Sequence, residues 1–206
     1  MKKILYSVAL AACCMGTMTS CSDFLDASNK SNVTAKQSFA TKEGLNNLVN
    51  NAYQHLQNVY AAPLFTSCFS AGTDMYADAR NKMNEVLNTY ETLTPENTDI
   101  KNLYTYLYSG IRAANSVSYY AQTAQVDDKT KGQLVGEARV LAAYEYYLLV
   151  NNFGGVPIMK DFLTTADTGY PKSSATDVYA YIISELEDVI SKNVLQASTA
   201  TKGGGR

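Results

Sequence analysis

At 206 residues, with 46% hydrophobic and 17% charged side chains, the chain is long enough for one globular domain with a sizeable core. A formal net charge of −2 lacks the basic excess of a nucleic-acid binder and gives a polyanion no electrostatic reason to associate. The aromatic set is skewed to 16 Tyr and 6 Phe with no Trp, so most flat faces also carry a hydroxyl. That suits a wet binding surface and a helix interface equally.

The amino terminus reads as an export leader: a basic start, Met1-Lys2-Lys3, then an apolar run from Ile4 to about Met18, then small residues. The run falls short of the roughly 20 apolar residues that a membrane-spanning helix needs. Met18-Thr19-Ser20-Cys21 matches the pattern of bacterial lipoprotein signals, with Met in place of the usual Leu, and makes Cys21 the candidate lipid acceptor. Leu10-Ala11-Ala12-Cys13 fits the letters better but leaves a much shorter apolar core, so Cys13 is the competitor. Loss of residues 1–20 leaves 15 basic against 19 acidic residues, and Cys68 as the one thiol besides the acylated Cys21. Within such a chain no disulfide can form, and Cys68 is expected to be a small buried residue.

Residues 21–42 are rich in Ser, Asn, Thr and Lys and read as a tether leaving the lipid; the folded domain is expected over 43–206. From Glu43 to Tyr60, apolar residues at three-and-four spacing predict an amphipathic helix with Thr41 as N-cap, ended by Pro63. His55 lies off its apolar stripe and is expected at the surface. Residues 61–97 read as a short helix among long loops. Ile100, Leu103, Tyr104, Leu107, Tyr108, Ile111 and Ala114 predict a second helix over 99–122, with Thr98 placed as its cap. A third, about Asp127 to Asn152, is apolar almost all round from Val140 to Val150 and must pack on more than one side. Phe153-Gly154-Gly155-Val156-Pro157-Ile158 terminates it, with a positive φ expected at Gly155, and leads into a short extended segment. After a polar loop over 164–176, a last helix from Asp177 to about Leu195 carries Val178, Ile182, Leu186 and Val189 on one stripe, with Tyr179, Ile183 and Ile190 beside it, and Ser173 to Asp177 supplies capping groups. No period-two alternation is long enough for a sheet. The fold class is therefore all-α, an array of antiparallel helix pairs with long loops; no 34-residue sequence repeat is present.

The stretch from Gly136 through Glu137, Arg139 and the aromatic Tyr144 to Tyr147 to Phe153-Gly154-Gly155-Val156-Pro157-Ile158 resembles the signature helix and turn of the SusD/RagB family. Three further pieces resemble it in the same order: Cys21-Ser22-Asp23-Phe24-Leu25-Asp26 its mature start, Tyr104 through Asn115 its Y-x-x-I-x-x-A-N helix, and Asp177-Val178-Tyr179 through Leu186 its V-Y-x-x-I-x-x-D-L helix. The resemblance implies a tetratricopeptide-like scaffold, anchored to the outer membrane through its lipid, that captures an oligosaccharide ligand and caps a TonB-dependent outer-membrane transporter. It implies no cofactor. Members of the family are usually more than twice this long, which makes Arg206 look like a truncation point. Starch-binding members lean on Trp, which is absent here.

Nothing in the sequence argues for catalysis or a metal: one His, no His-Glu-x-x-His, no Gly-x-Ser-x-Gly and no paired Cys-x-x-Cys. Glu137 and Arg139 are two residues apart and point to different helix faces; with Glu145 they read as structural charges satisfied by neighbouring helices. Sugar binding needs aromatic faces and planar polar groups presented from loops. The 70–84 loop offers Asp74, Tyr76, Asp78, Arg80, Asn81 and Asn84, although the same residues would serve a merely solvated connector. The tyrosine clusters at 104–108 and 144–147 are helical and read mostly as core. A glycan-binding lipoprotein, a helical adaptor for protein partners and a truncated product without function of its own all remain open.

Overall fold

A computed structural model describes residues 34–61, 64–76, 85–165 and 169–195. The elements in chain order are α1 (Ala35–Ser38), α2 (Lys42–Tyr60), a π-helical turn (Thr66–Ser70), α3 (Glu85–Thr89), α4 (Thr98–Ala121), α5 (Asp128–Phe153) and α6 (Ala175–Lys192). Among the described residues there is no strand, only isolated backbone bridges between Thr73 and Tyr76 and between Pro157 and Lys172.

Each long helix begins where a side chain replaces the missing acceptor of the first turn. Thr41 Oγ1 accepts the Gly44 amide at 3.0 Å, Asp127 Oδ1 the Thr130 amide at 2.9 Å, and Ser174 Oγ the Asp177 amide at 3.1 Å. At α4 the cap is Asn97, not Thr98: its Oδ1 accepts the amides of Asp99 and Ile100 at 3.0 and 3.1 Å, so Thr98 is already helical. The short helix α1 and the packing of Phe39 on Tyr120, ring centroids 4.8 Å apart, bring ordered structure ahead of Glu43. α2 ends at Tyr60 with Ala61 as its cap; Pro63 lies outside the described residues.

The four long helices run up, down, up, down. The start of α2 meets the end of α4, where the Gln125 amide donates to Ala40 O at 2.8 Å. Tyr104 on α4 meets Phe153 on α5 edge-on, and Arg139 on α5 reaches Glu185 on α6, so successive helices are antiparallel. α2 and α5 consequently run the same way, joined by Tyr53 to Glu137 and by Tyr60 to Tyr144.

α5 touches α2, α4 and α6, which explains its all-round apolarity: between Leu141 and Val150 only Tyr144 and Tyr147 are exposed. One core cluster gathers Leu45, Val49, Val117, Leu134 and Ala138; a second gathers Leu103, Leu107, Tyr146, Leu149 and Val178. The tyrosine clusters divide, since Tyr146 is fully buried whereas Tyr144 and Tyr147 reach solvent. On α6 the stripe of Val178, Ile182 and Val189 is buried, while Tyr179, Ile183 and Ile190 stay exposed.

The turn after α5 assigns its two glycines different tasks. Gly154 carries the positive φ, +69°, and its amide closes the helix onto Val150 O at 3.0 Å. Gly155 has no positive φ, contrary to expectation. Its role is close approach: a Cβ there would collide with the Ser173 carbonyl oxygen and lie 3.2 Å from the Ala175 amide nitrogen. The glycine lets the chain pass against the segment that caps α6.

Candidate functional site

Of the loop residues singled out in the sequence, Asp74 and Tyr76 are described; Asp78, Arg80, Asn81 and Asn84 lie outside the described residues, as do Cys13 and Cys21. The loop leaves the π-helical turn through Gly72, whose φ of +74° and close contact with the Tyr90 hydroxyl admit no side chain. The Gly72 amide donates to Asn88 Oδ1 at 2.9 Å, and Thr73 Oγ1 donates to Ser70 O at 2.7 Å. Helix α3 thus braces the base of the loop. Asp74 is exposed beside the almost wholly exposed Met75, and Tyr76 is half-buried.

Glu137 and Arg139 face different helices, as their spacing requires. Glu137 Oε1 accepts from the Tyr53 hydroxyl at 3.0 Å on α2, while Arg139 bonds Glu185 at 2.7 Å and also Asp188, both on α6. The bond to Glu185 raises the Arg139 pKa and the one to Asp188 adds to it, against the opposing effect of burial; the partnership holds Asp188 well on the ionised side, where Lys192 acts first and Arg139 second. Glu145 departs from the expectation. It is completely buried, and among the described residues neither carboxyl oxygen has a hydrogen-bond partner. Burial pushes its pKa well up, which favours the neutral acid. Gly110 on α4 is the residue that makes room: a Cβ there would run into the Glu145 carboxyl.

His55 is half-buried rather than on the surface; its Nδ1 is sequestered without a partner among the described residues, and burial lowers its pKa. Cys68 is half-buried in the π-helical turn, its thiol pushed up to about 12 chiefly by burial and further by the charge of Asp99.

Beyond Gly155 the chain forms a strap, residues 156–165, pinned along one stripe of α4. Tyr108 Oη donates to Pro157 O at 2.7 Å, and Asn115 Nδ2 donates to Met159 O at 2.8 Å. The buried Tyr146 of α5 accepts from the Met159 amide at 2.7 Å and donates to Met159 O at 3.3 Å. Strap and helix enclose two concavities. One, of about 460 Å³, is lined by Tyr104, Tyr108, Pro157 and Tyr170; the other, of about 320 Å³, by Asn115, Asp161, Thr164 and Thr165. Arg112 and Met159 line both. The Arg112 guanidinium lies 5.5 Å from the Phe162 ring centroid and, among the described residues, has no carboxylate partner.

The match to a family model described as "starch-binding associating with outer membrane" covers residues 23–200. The chain belongs to the SusD-like family. A relative in Formosa agariphila, SusD-like protein P38, is 28% identical over 190 residues, covering 90% of this chain and 36% of that protein. Surface glycan-binding protein A from Bacteroides uniformis superposes with a TM-score of 0.66 at 25% identity, over 79% of this chain and 37% of that one. Surface glycan-binding protein A from Bacteroides thetaiotaomicron, solved in complex with laminarihexaose, superposes with a TM-score of 0.60 at 22% identity, over 79% of this chain and 35% of that one. This SusD-like chain therefore spans about a third of the length of these relatives. These folds agree with the all-α, tetratricopeptide-like array expected from the sequence.

Sequence reasoning passed over Arg112, Asn115 and Tyr170. A signal for the first two was present, because Tyr104, Tyr108, Arg112 and Asn115 recur at intervals of four, four and three on one helix face. Tyr170 carries no such signal, since its placement depends on the strap.

Proposed function

We propose that this SusD-like protein is a non-catalytic cell-surface lipoprotein that binds glycans and passes them to a partner TonB-dependent outer-membrane transporter. In this reading residues 1–20 are the leader, the lipidated Cys21 and a tether precede α1, and the chain from α1 onward forms the helical amino-terminal part of the family's domain. The observation that carries it is the family match over residues 23–200, on a helical scaffold shared with surface glycan-binding proteins. The exposed Asp74 and the half-buried Tyr76, on a loop braced by Asn88 and Tyr90, supply polar and aromatic groups suited to sugars. Among the described residues no helix is long and apolar enough to cross a membrane.

Calorimetric titration of the chain with a panel of oligosaccharides tests the binding claim: saturable heat supports it, and a folded protein that binds no glycan while co-purifying with a protein partner would replace it with an adaptor role. Labelled palmitate tests the anchor. Cys21→Ser should abolish labelling and release the protein from membranes, and label persisting in that variant would transfer the role to Cys13.

A further inference from the structure

We infer that the groove between α4 and the strap, whose lining includes no described residue of the 70–84 loop, is a carbohydrate-binding site for a neutral oligosaccharide. The inference rests on the glycan-binding reading and adds a site that the sequence did not point to.

The groove joins two kinds of surface. At one end Tyr104 and Tyr108, ring centroids 4.7 Å apart and inclined at 45°, make a curved aromatic wall with Tyr170 and the Pro157 ring. Such faces match the C–H faces of a sugar ring, and tyrosine tolerates water at its edge. At the other end Asp161, Thr164 and Thr165 offer acceptors and hydroxyls. Arg112 stands at the junction with guanidinium donors not taken by any carboxylate among the described residues, parked against Phe162, which itself packs on Tyr119 and Tyr120. From Tyr104 to Asn115 the helix advances about 16 Å, at 1.5 Å per residue, room for a short linear chain.

Charge selects the ligand class. The Arg112 cation and the Asp161 carboxylate line the same concavity. Together they give the concavity no net charge, so the attraction of a uronic acid to Arg112 or of an amino sugar to Asp161 is offset by repulsion from the other group, whereas a neutral hydroxyl both donates and accepts and can satisfy the two together. The groove is also built before any ligand arrives. Pro157 O, Met159 N and Met159 O are held by Tyr108, Tyr146 and Asn115, so binding need not order the strap. Tyr108 is held protonated by burial, then by its contact with Tyr104, and keeps its hydroxyl as a donor to the strap.

The test uses the full chain and a mixture of maltohexaose, laminarihexaose and xylogluco-oligosaccharide, with trigalacturonate as the acidic counterpart. Arg112→Gln and Tyr170→Ala should each weaken neutral-sugar binding about tenfold, the effect of losing one good polar or stacking contact. Tyr170→Phe should restore it, and trigalacturonate should not compete. In the unmutated protein the neutral mixture should also protect Arg112 from phenylglyoxal, a readout independent of how the variants fold. Unchanged affinity in the Arg112→Gln/Tyr170→Ala double variant, or no protection of Arg112, overturns the groove as a site. If binding then disappears in Asp74→Ala, the glycan-binding reading survives and the loop carries it. Preferential binding of trigalacturonate overturns the assignment to neutral sugars, and an unmutated chain that binds no member of the mixture overturns both readings.

Discussion

Replacing Glu145 by Met should make the protein more stable at neutral pH and flatten its dependence on pH. The Glu145 carboxyl is buried without a partner, in a space kept open by Gly110, so the fold bears the desolvation of a polar group with no compensating bond. That penalty is about 1–3 kcal/mol, and a methionine of similar length removes it while filling the volume. The sign of the pH effect follows from the raised folded-state pKa. Above the unfolded carboxyl value of about 4.3, the unfolded chain releases its proton while the folded chain retains it. Stability is therefore greatest below that value and falls as pH rises, by about 1.4 kcal/mol per pH unit for one proton, until the folded pKa is passed. Urea unfolding followed by circular dichroism at pH 5, 6, 7 and 8 reads both quantities. The Met variant should gain about 1–3 kcal/mol at pH 5 from the lost desolvation, gain more at pH 7 because the linked proton adds to that difference, and show a slope shallower by one proton in that range. For a chain of this length each kcal/mol corresponds to about 2–4 °C in Tm. A Met variant less stable than the parent at pH 7, with the parent's pH slope, would mean that the carboxylate is ionised and compensated, and the reasoning would fail.

Two further substitutions separate local from tertiary causes. Gly155→Val should lower stability by about 1–3 kcal/mol through collision with Ser173, whereas Gly154→Ala should cost only about 1 kcal/mol through its positive φ, since nothing lies within 4 Å of the added methyl; equal losses in thermal melts would contradict the division. Asn97→Ala should cost about 1 kcal/mol as a lost cap while Thr98→Ala changes little, and the reverse ranking in urea titrations would restore Thr98 to the role that sequence assigned it.

What could be read from the sequence was what local chemistry decides. Three-and-four spacing located α2, α4 and α6, an all-round apolar run located α5, and the capping groups at Thr41 and within Ser173 to Asp177, where Ser174 serves, were legible because a cap bonds within three residues of itself. Asn97 and Thr98 are both competent caps, and only the path of the incoming chain selects between them. The reading of Gly155 erred because a close approach to Ser173, 18 positions away, leaves no mark on neighbouring residues. Glu145 erred for a related reason: a charge on an apolar helix implies a partner, but whether one exists depends on which α4 residue lies opposite, and Gly110 offers none. Arg139 followed the rule, because Glu185 and Asp188 occupy one α6 face at a spacing of three. Of the candidate site, the residue types of the 70–84 loop were legible, but the strap was not, since it has no periodicity and takes its form from the tyrosine and asparagine side chains that hold it.

The phenol of Tyr146 occupies a single point shared by two layers of the molecule. Its ring sits in the packed interior of α5 while its oxygen is bound to both backbone groups of Met159. The Met159 amide can exchange its hydrogen with solvent only when its bond to Tyr146 is broken, so its protection reports how firmly the strap is held on the core. A surface segment is thereby fastened through one side chain to the interior beneath it, and the groove keeps its shape for as long as those bonds hold.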